Sequence, residues 1–175
     1  MLKIIEIHTT DVDFRYMKRL LIYSFPSCEY RDIDQYNHVC RNKKAFRCNI
    51  IYKKNTPIGL INFWEFKDFI FLEHFAIDPL FRNLGYGKRV LEMVQQDFKK
   101  PFVLEVEQPT CELAKRRIQF YQRAGLKIYS KTYNQPPYRK GEKEIPMYLM
   151  GTEELFKNQK TARIKETLYT EVYSY

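Results

Sequence analysis

The sequence has few cysteines and no long apolar segment, and both shortages exclude classes of protein. Its four cysteines are Cys28, Cys40, Cys48 and Cys111, and no two of them form a C-x-x-C pair. A disulfide scaffold and a zinc site are therefore disfavoured, and we expect reduced thiols in a cytoplasmic protein with no bound metal. No apolar run approaches the roughly 20 residues that a membrane-spanning helix needs. The first residues also lack a secretory signal pattern, so we expect no association with a membrane.

The chain also lacks a concentrated block of charge, although it is basic overall. The 175 residues carry a net charge of +9, with no run of five or more like charges. A nucleic-acid-binding module is one alternative function that this charge favours, but a dispersed pattern is a weak argument for it. About 45% of the residues are apolar, including 14 Tyr and 13 Phe, which predicts a packed globular core.

The order of apolar patterns predicts a single α/β domain over residues 1–175. Alternation predicts a first strand, and apolar residues at helical spacing predict two helices after it. Three strands then follow one another through tight turns, which is typical of an antiparallel meander. The predicted strands of this half are 2–8, 45–54, 58–67 and 69–77, and the second helix is 32–42.

The second half alternates helices with strands. A helix over 87–100 precedes the near-continuous apolar strand 102–107, as expected for a buried parallel pair. A second helix ends at Gly125, and two more strands follow it. The tail over about 152–175 is predicted to be helical, because Ile164, Leu168 and Val172 lie four residues apart. The predicted fold is therefore a mixed central sheet with an antiparallel N-terminal meander and flanking helices.

The segment Arg82-Asn83-Leu84-Gly85-Tyr86-Gly87-Lys88 lies between a strand and a helix, and it predicts an anion site. The first N–H groups of a helix have no partner within the helix, and with the helix dipole they attract a phosphate. Gly85 and Gly87 lack a Cβ, so a phosphate can approach the backbone closely. Arg82 and Lys88 add positive charge. The segment matches neither a P-loop, because Arg89 follows the lysine, nor a G-x-G-x-x-G dinucleotide motif, because Val90 replaces its last glycine.

Two motifs in the sequence resemble those of the GCN5-related N-acetyltransferase (GNAT) family. Residues 82–87 are similar to the family's R/Q-x-x-G-x-G/A loop, which binds acyl-CoA, and "FYQRAGL" over 120–126 is similar to its second signature, FYxxxGF. The order of the elements agrees as well, over roughly residues 50–150. The resemblance implies an acyl-CoA-dependent N-acetyltransferase of the bacterial type that moves an acetyl group from acetyl-CoA to an amine. A family member that binds acyl-CoA without catalysis is a further alternative.

The resemblance also implies where acetyl-CoA binds. The strands 69–77 and 102–107 are expected to splay apart, with a β-bulge near the end of the first. The pantetheine arm then pairs with the first strand, so the N–H groups of Phe75 and Ile77 are its candidate contacts. The pyrophosphate is expected on the loop, whose cofactor-binding candidates are Arg82, Asn83, Gly85, Tyr86, Gly87 and Lys88. Members often have an asparagine early in the second helix, where this chain has Cys111.

The catalytic candidates are Tyr121, Glu73 and His74. Transfer to an amine needs a base for the amine, a donor for the oxyanion and an acid for the leaving thiolate. Tyr121, at the tyrosine of the second motif, is the candidate acid, and a backbone N–H of the splayed strand, around Phe75, is the candidate oxyanion donor. Glu73 and His74 are alternative bases, as is a water chain. In a regular strand their side chains point to opposite faces, so we expect at most one in the cleft.

The amine acceptor is expected to be a small molecule or a peptide, and the residues around it are less defined. Glu105 and Glu107 on the neighbouring strand are further acidic candidates, either for contact with the substrate or for a structural role. The long loop "PPYRKGEK" offers Tyr138 and Arg139 as acceptor contacts. Tyrosines predicted to be exposed on the C-terminal helix offer a surface for a homodimer.

Overall fold

The chain forms one mixed eight-stranded sheet in a computed structural model that describes residues 1–158 and 160–175. The strands are β1 (Leu2–Glu6), β2 (Phe46–Arg47), β3 (Asn49–Lys53), β4 (Thr56–Glu65), β5 (Ile70–Ile77), β6 (Phe102–Glu107), β7 (Lys127–Gln135) and β8 (Ile145–Gly151). Their order across the sheet is β1-β3-β4-β5-β6-β8-β7, and β2 pairs separately with β4. The antiparallel meander β3-β4-β5 is confirmed, although the predicted first strand of the meander is divided at Cys48.

Helices cover both faces of the sheet. They are α1 (Asp13–Ser24), α2 (Ile33–Asn42), α3 (Tyr86–Phe98), α4 (Glu112–Arg123), α5 (Glu153–Asn158) and α6 (Thr161–Thr167), and α6 continues into a π-helix over Leu168–Tyr173. One apolar cluster joins α1, α2 and the C-terminal helices to one face, and a second joins α3 and α4 to the other. The apolar stripes predict these contacts. The tail residues Ile164, Leu168 and Val172 are buried as their spacing predicts. No described helix is long and apolar enough to span a bilayer.

The strands β5 and β6 run parallel and separate after three residue pairs. Their register joins Ile70 to Phe102, Phe71 to Val103 and Leu72 to Leu104. Beyond Leu104, β6 still pairs with β8 on its other side, so only the edge that faces β5 is released. The predicted splay is confirmed, and it opens a cleft between residues 73–77 and residues 105–107.

A β-bulge lies at Glu73, in the middle of β5. Asn62 pairs with His74 and the next residue, Phe63, pairs with Leu72, so Glu73 is the additional residue on β5. An additional residue shifts the alternation of side chains by one position. Glu73 contacts Trp64 and His74 contacts Tyr36, both in the cluster that includes α1 and α2. The expectation that Glu73 and His74 point to opposite faces is therefore wrong, because the strand is irregular between them.

Candidate active site

A cavity of about 860 Å³ lies at the fork between β5 and β6. One end is lined by the loop over residues 82–88, which we call the phosphate loop. The other, which we call the acceptor end, is lined by Glu29, Glu105, Gln135, Tyr138 and Met147. The cavity brings together every catalytic and cofactor-binding residue predicted from the sequence: Glu73, His74, Phe75, Ile77, Arg82, Asn83, Gly85, Tyr86, Gly87, Lys88 and Tyr121.

The two glycines of the phosphate loop have different structural roles. Gly85 is the N-cap of α3 with φ +77°, in the left-handed region, and a Cβ placed on it would meet nothing within 4 Å. Its backbone therefore borders open space at the helix N-terminus, where an anion is favoured. A Cβ on Gly87 would lie 3.2 Å from Cζ of Phe120, so the close packing of α3 on α4 favours glycine here. Asn83 is left-handed too, with φ +61°.

The basic side chains of the loop differ in how they are held. The Nε of Arg82 donates a hydrogen bond to the carbonyl of Ile77, at 2.8 Å, which ties the loop to the end of β5. Lys88 is exposed on the first turn of α3, and its Nζ lies 3.7 Å from Glu92. Both groups place positive charge beside the helix N-terminus, as an anion site requires.

The backbone of β5 offers N–H groups to the cleft. The N–H of Asp78 donates to the carbonyl of Ile58 on β4, at 2.9 Å. Hydrogen-bonding direction alternates along a strand, so the N–H groups of Ile77 and Phe75 point away from β4 and toward the released edge. These two N–H groups are the predicted contacts of the pantetheine arm.

Glu73 is held in a buried ion pair. Its carboxylate accepts from Arg31, from Nε1 of Trp64 at 2.9 Å and from the hydroxyl of Tyr138 at 2.7 Å. The side chains of Glu73 and Arg31 are only 1% and 4% exposed. Burial by itself would raise the pKa of Glu73, but the Arg31 guanidinium and the hydrogen bonds hold that pKa below its usual value. The lowered pKa makes this carboxylate a weak base, which suits positioning better than proton abstraction.

His74 is also buried and has partners on both nitrogens. Its Nε2 lies 2.8 Å from the carbonyl oxygen of Glu29, so this nitrogen carries the proton and donates. Its Nδ1 lies 3.4 Å from the hydroxyl of Tyr36, which already accepts from Asn62 and can therefore donate to His74. Burial lowers the pKa of His74, which keeps the ring neutral. The general-base role of Glu73 or His74 stays a prediction, and these contacts favour another group.

Tyr121 packs its ring in the cluster below α4 and lines the cavity. Burial raises the pKa of Tyr121 to about 12, with a smaller rise from Glu107 and an opposing effect of Arg117. The phenol therefore keeps its proton at neutral pH and is a hydrogen-bond donor.

The acceptor end is acidic. Glu105 accepts hydrogen bonds from Tyr133 and, at 2.5 Å, from Tyr173. Burial raises the pKa of Glu105 to about 7, and the nearby carboxylates Glu73 and Glu29 add to the rise against these two hydrogen bonds. Glu107 instead forms an ion pair with Arg117.

The long loop and the tail bound the acceptor end. Tyr138 is buried there, with its ring 4.7 Å from the Arg31 guanidinium. Arg139 lies outside this cavity, bonded to Asp32 and to the Ser27 carbonyl at 2.7 Å each, so its expected acceptor contact is not supported.

The dimer expectation assumed exposed tyrosines in the tail. Tyr173 instead bonds Glu105, and the hydroxyl of Tyr169 bonds the carbonyl of Asn134 at 2.5 Å. Both therefore face the fold, so the homodimer stays a prediction without that support.

Sequence reasoning missed Arg31, Glu29 and Gln135. Arg31 and Glu29 precede α2 in a polar segment without a motif, and their partners lie more than 40 residues away along the chain. The single available signal was Glu73 itself, since a carboxylate within an apolar strand requires a cationic partner.

Comparison with known proteins assigns the fold and the motifs to one family. The profile of the Acetyltransferase (GNAT) family matches residues 7–126. A protein assigned to the GNAT acetyltransferases from Bacteroides thetaiotaomicron is 43% identical, with a TM-score of 0.92 over 99% of each chain. A search of curated proteins found no match.

More distant structures share the fold alone. The ribosomal-protein-S18-alanine N-acetyltransferase of Escherichia coli is 16% identical, with a TM-score of 0.62 over 87% of this chain and 93% of that one. A GNAT acetyltransferase from Elizabethkingia anophelis with acetyl-CoA bound is 20% identical, with a TM-score of 0.59 over 87% and 97%.

Proposed function

Because this chain belongs to the GNAT acetyltransferase family and is an acyl-CoA-dependent N-acetyltransferase, we propose that acetyl-CoA and an amine bind in the cavity together. The amine attacks the thioester directly, with no covalent enzyme intermediate. The observation that carries this proposal is the separation of β5 from β6 beside a helix that begins at a left-handed glycine. The released edge suits an extended arm, and the helix N-terminus suits its pyrophosphate.

The residues present fit acetyl-CoA. The N–H groups of Phe75 and Ile77 face the released edge, where Ile77 would bond a pantetheine amide and Phe75 the carbonyl oxygen of the thioester. The open space at Gly85 would admit the pyrophosphate, with Arg82 and Lys88 adding charge. The thioester then lies near the fork, between the bulge at Glu73 and Glu105 of β6. Acetyl-CoA supplies the activated acetyl group, and the chain orients it.

The reaction forms a C–N bond and breaks the C–S bond. The nitrogen lone pair attacks the carbonyl carbon, and the oxyanion accepts from the N–H of Phe75. The electron pair of the C–S bond leaves on sulfur, and the nitrogen gives up a proton. We propose that Glu105 receives this proton through water, because its pKa of about 7 suits a base near neutral pH. Glu73 and Arg31 then act as positioning residues for Tyr138 and the bulge.

Tyr121 is proposed to stabilise the leaving thiolate by a hydrogen bond. Its pKa of about 12 lies above the value of about 8.5 that is typical of a thiol, so solvent supplies the proton itself. We expect Tyr121→Phe to lower kcat about tenfold, as loss of a hydrogen bond to a charged group predicts. The affinity for acetyl-CoA, measured by calorimetry, should stay within twofold of the wild-type value. An unchanged kcat returns Tyr121 to a purely structural role.

The role of Glu105 predicts a pH dependence. Below pH 7 the carboxyl is protonated and cannot accept a proton, and above pH 7 it can. With an acceptor of high pKa that carries a single amine, and so no second cation for Glu29 to bind, log kcat/KM should rise with a slope of about two below pH 7 and about one above it. In Glu105→Gln the slope should be about one throughout, with activity at pH 8 lowered about 100-fold. The exposed Glu154→Gln on α5 is the control, and it should retain the break. A break retained in Glu105→Gln contradicts the assignment.

The proposal as a whole is tested by thermal unfolding and thiol release. A ligand at about 100 times its dissociation constant stabilises a protein by about 2.7 kcal/mol, which raises Tm by a few degrees. Acetyl-CoA and CoA should give this shift, whereas ATP and NAD should not. Thiol release from acetyl-CoA should then depend on an added amine. Binding without release across a broad amine panel favours the alternative of a non-catalytic binder. Salt-sensitive binding of RNA or DNA with no acetyl-CoA shift favours the nucleic-acid alternative.

We further propose a cytoplasmic location. All four cysteines are free in the structure, which suits a reducing compartment.

A further inference from the structure

Two polar groups at the acceptor end have no partner among the residues that the structure describes. The carboxylate of Glu29 lines the cavity, and none of the described ion pairs or side-chain hydrogen bonds includes it. The Nε2 of Gln135 is buried without a hydrogen-bond partner, on a side chain that is 4% exposed and lines the same cavity. The Glu29 carboxylate and the Gln135 amide can therefore each bind a group of a ligand.

The carboxylate of Glu29 is suited to bind a cationic group of a ligand. The basic group that lowers the pKa of Glu29 is Arg117, but Arg117 already pairs with Glu107. The pKa of Glu29 is raised to about 7, first by burial and next by the charge of Glu107, against the opposing effect of Arg117. A partly buried carboxylate in this position is stabilised by a positively charged ligand.

The Nε2 group of Gln135 is suited to donate a hydrogen bond to an oxygen atom. An amide NH₂ that is buried without a partner costs about 1–3 kcal/mol, so such a group normally bonds a water or a ligand. The amide has two donors, and a carbonyl or hydroxyl oxygen is the partner that fits them. Gln135 is the last residue of β7, next to the loop that carries Tyr138, so its backbone is held in place by the sheet.

Buried side chains form a wall beside these groups. Tyr138 and Met147 line this end and are buried, and the ring of Tyr138 packs 5.1 Å from that of Tyr173 in the tail. Arg31 donates to the carbonyl of Val172, at 2.7 Å, and so fixes the tail against this wall. A fixed wall of this kind suits contact with a compact molecule.

Building on the proposed acetyl transfer, we propose that the acceptor is a small diamine that also carries a carbonyl or hydroxyl oxygen. One amine is bound near Glu105, loses its proton and attacks the thioester, so that its C–N bond forms as the C–S bond breaks. The second amine stays protonated and pairs with Glu29. The oxygen accepts from Nε2 of Gln135. The second amine and the oxygen are unchanged by the reaction.

Three probe amines separate these contacts. L-lysinamide carries two amines and a carbonyl, L-norleucinamide lacks the second amine, and 1,5-diaminopentane lacks the carbonyl. Thiol release from saturating acetyl-CoA gives kcat/KM for each, expressed per concentration of neutral amine, because an α-amine has a pKa of about 8 and an alkyl amine one of about 10.4. We expect L-lysinamide to exceed each of the others by about tenfold or more, the size of one hydrogen bond to a charged group.

Two substitutions assign the preference to the residues. Glu29→Gln should collapse the ratio of L-lysinamide to L-norleucinamide toward one, chiefly through KM. Gln135→Met, of similar volume, should collapse the ratio of L-lysinamide to 1,5-diaminopentane. Glu154→Gln, on an exposed face of α5, should keep both ratios. Circular dichroism and the acetyl-CoA thermal shift check that each variant is folded. Because Glu29 is partly exposed, its substitution should disturb the fold less than that of Gln135.

The outcomes distinguish this inference from the proposed function. Equal kcat/KM for the three amines, or ratios that survive in both variants, overturns the diamine acceptor while acetyl transfer stands. An acetyl-CoA thermal shift without thiol release for any amine contradicts the proposed transfer itself, and the acceptor with it.

Discussion

Gly85→Val is expected to weaken acetyl-CoA binding about 1,000-fold, because two charge-assisted hydrogen bonds to the pyrophosphate are lost. Gly85 has φ +77°, which a β-branched residue adopts only with strain. The loop must therefore change its conformation, and the first N–H groups of α3 turn away from the anion. A Cβ at this position would also project into the open space where the pyrophosphate is expected. Isothermal calorimetry with acetyl-CoA measures the loss directly.

Gly141→Val is the matched control. Gly141 has φ +89°, and a Cβ there also meets nothing within 4 Å, so the strain and the open surroundings are equivalent. It lies in the loop before β8, outside the cavity lining. We expect a similar loss of thermal stability in both variants and unchanged acetyl-CoA affinity in Gly141→Val. Equal affinity in wild type and Gly85→Val would falsify the anion role of the loop.

The elements of the fold were predictable because their causes are local. The stripe Phe14, Met17, Leu20 and Leu21 fixes the buried face of α1, and all four residues are buried. The near-continuous apolar strand 102–107 predicts a strand covered on both faces, which β6 is. The phosphate loop was predictable for a similar reason. A left-handed conformation just before a helix favours glycine, so the sequence shows a glycine at that one position.

The details of the site depend on contacts between distant segments, and these leave no local mark. The bulge at Glu73 is a mismatch of register between β4 and β5, and neither strand shows it by itself. Once it exists, Glu73 and His74 share a face, and the alternation on which their roles were argued fails. The partner of Glu73 is Arg31, 42 residues earlier in a segment with no regular pattern. The acceptor end is likewise built from segments that are distant in sequence: the connection between α1 and α2, strands β6 and β7, and the C-terminal tail.

The Arg31–Glu73 pair carries the second large prediction. Arg31→Met should destabilise the protein by about 3–5 kcal/mol, because removal of one partner leaves the other as an uncompensated buried charge. The substitution also frees the carbonyl of Val172, so the tail should loosen from the acceptor end. Urea unfolding at pH 7.5 gives the free energy of unfolding, and faster hydrogen exchange in Leu168–Tyr173 should accompany the loss.

The dependence of this loss on pH identifies its origin. In the wild type the pKa of Glu73 is lowered, so its contribution to stability is present above the unfolded pKa and is lost as the pH falls. Without Arg31, burial raises the pKa of Glu73, and the variant gains relative stability as the carboxyl takes up a proton. The deficit of Arg31→Met should therefore shrink between pH 7.5 and pH 5. The double variant Arg31→Met/Glu73→Gln should recover part of the deficit at pH 7.5, since no charge is then buried alone. A deficit that is equal at both pH values and unrelieved in the double variant would mean that Arg31 acts through packing against Trp64 and Tyr138 and not through its charge.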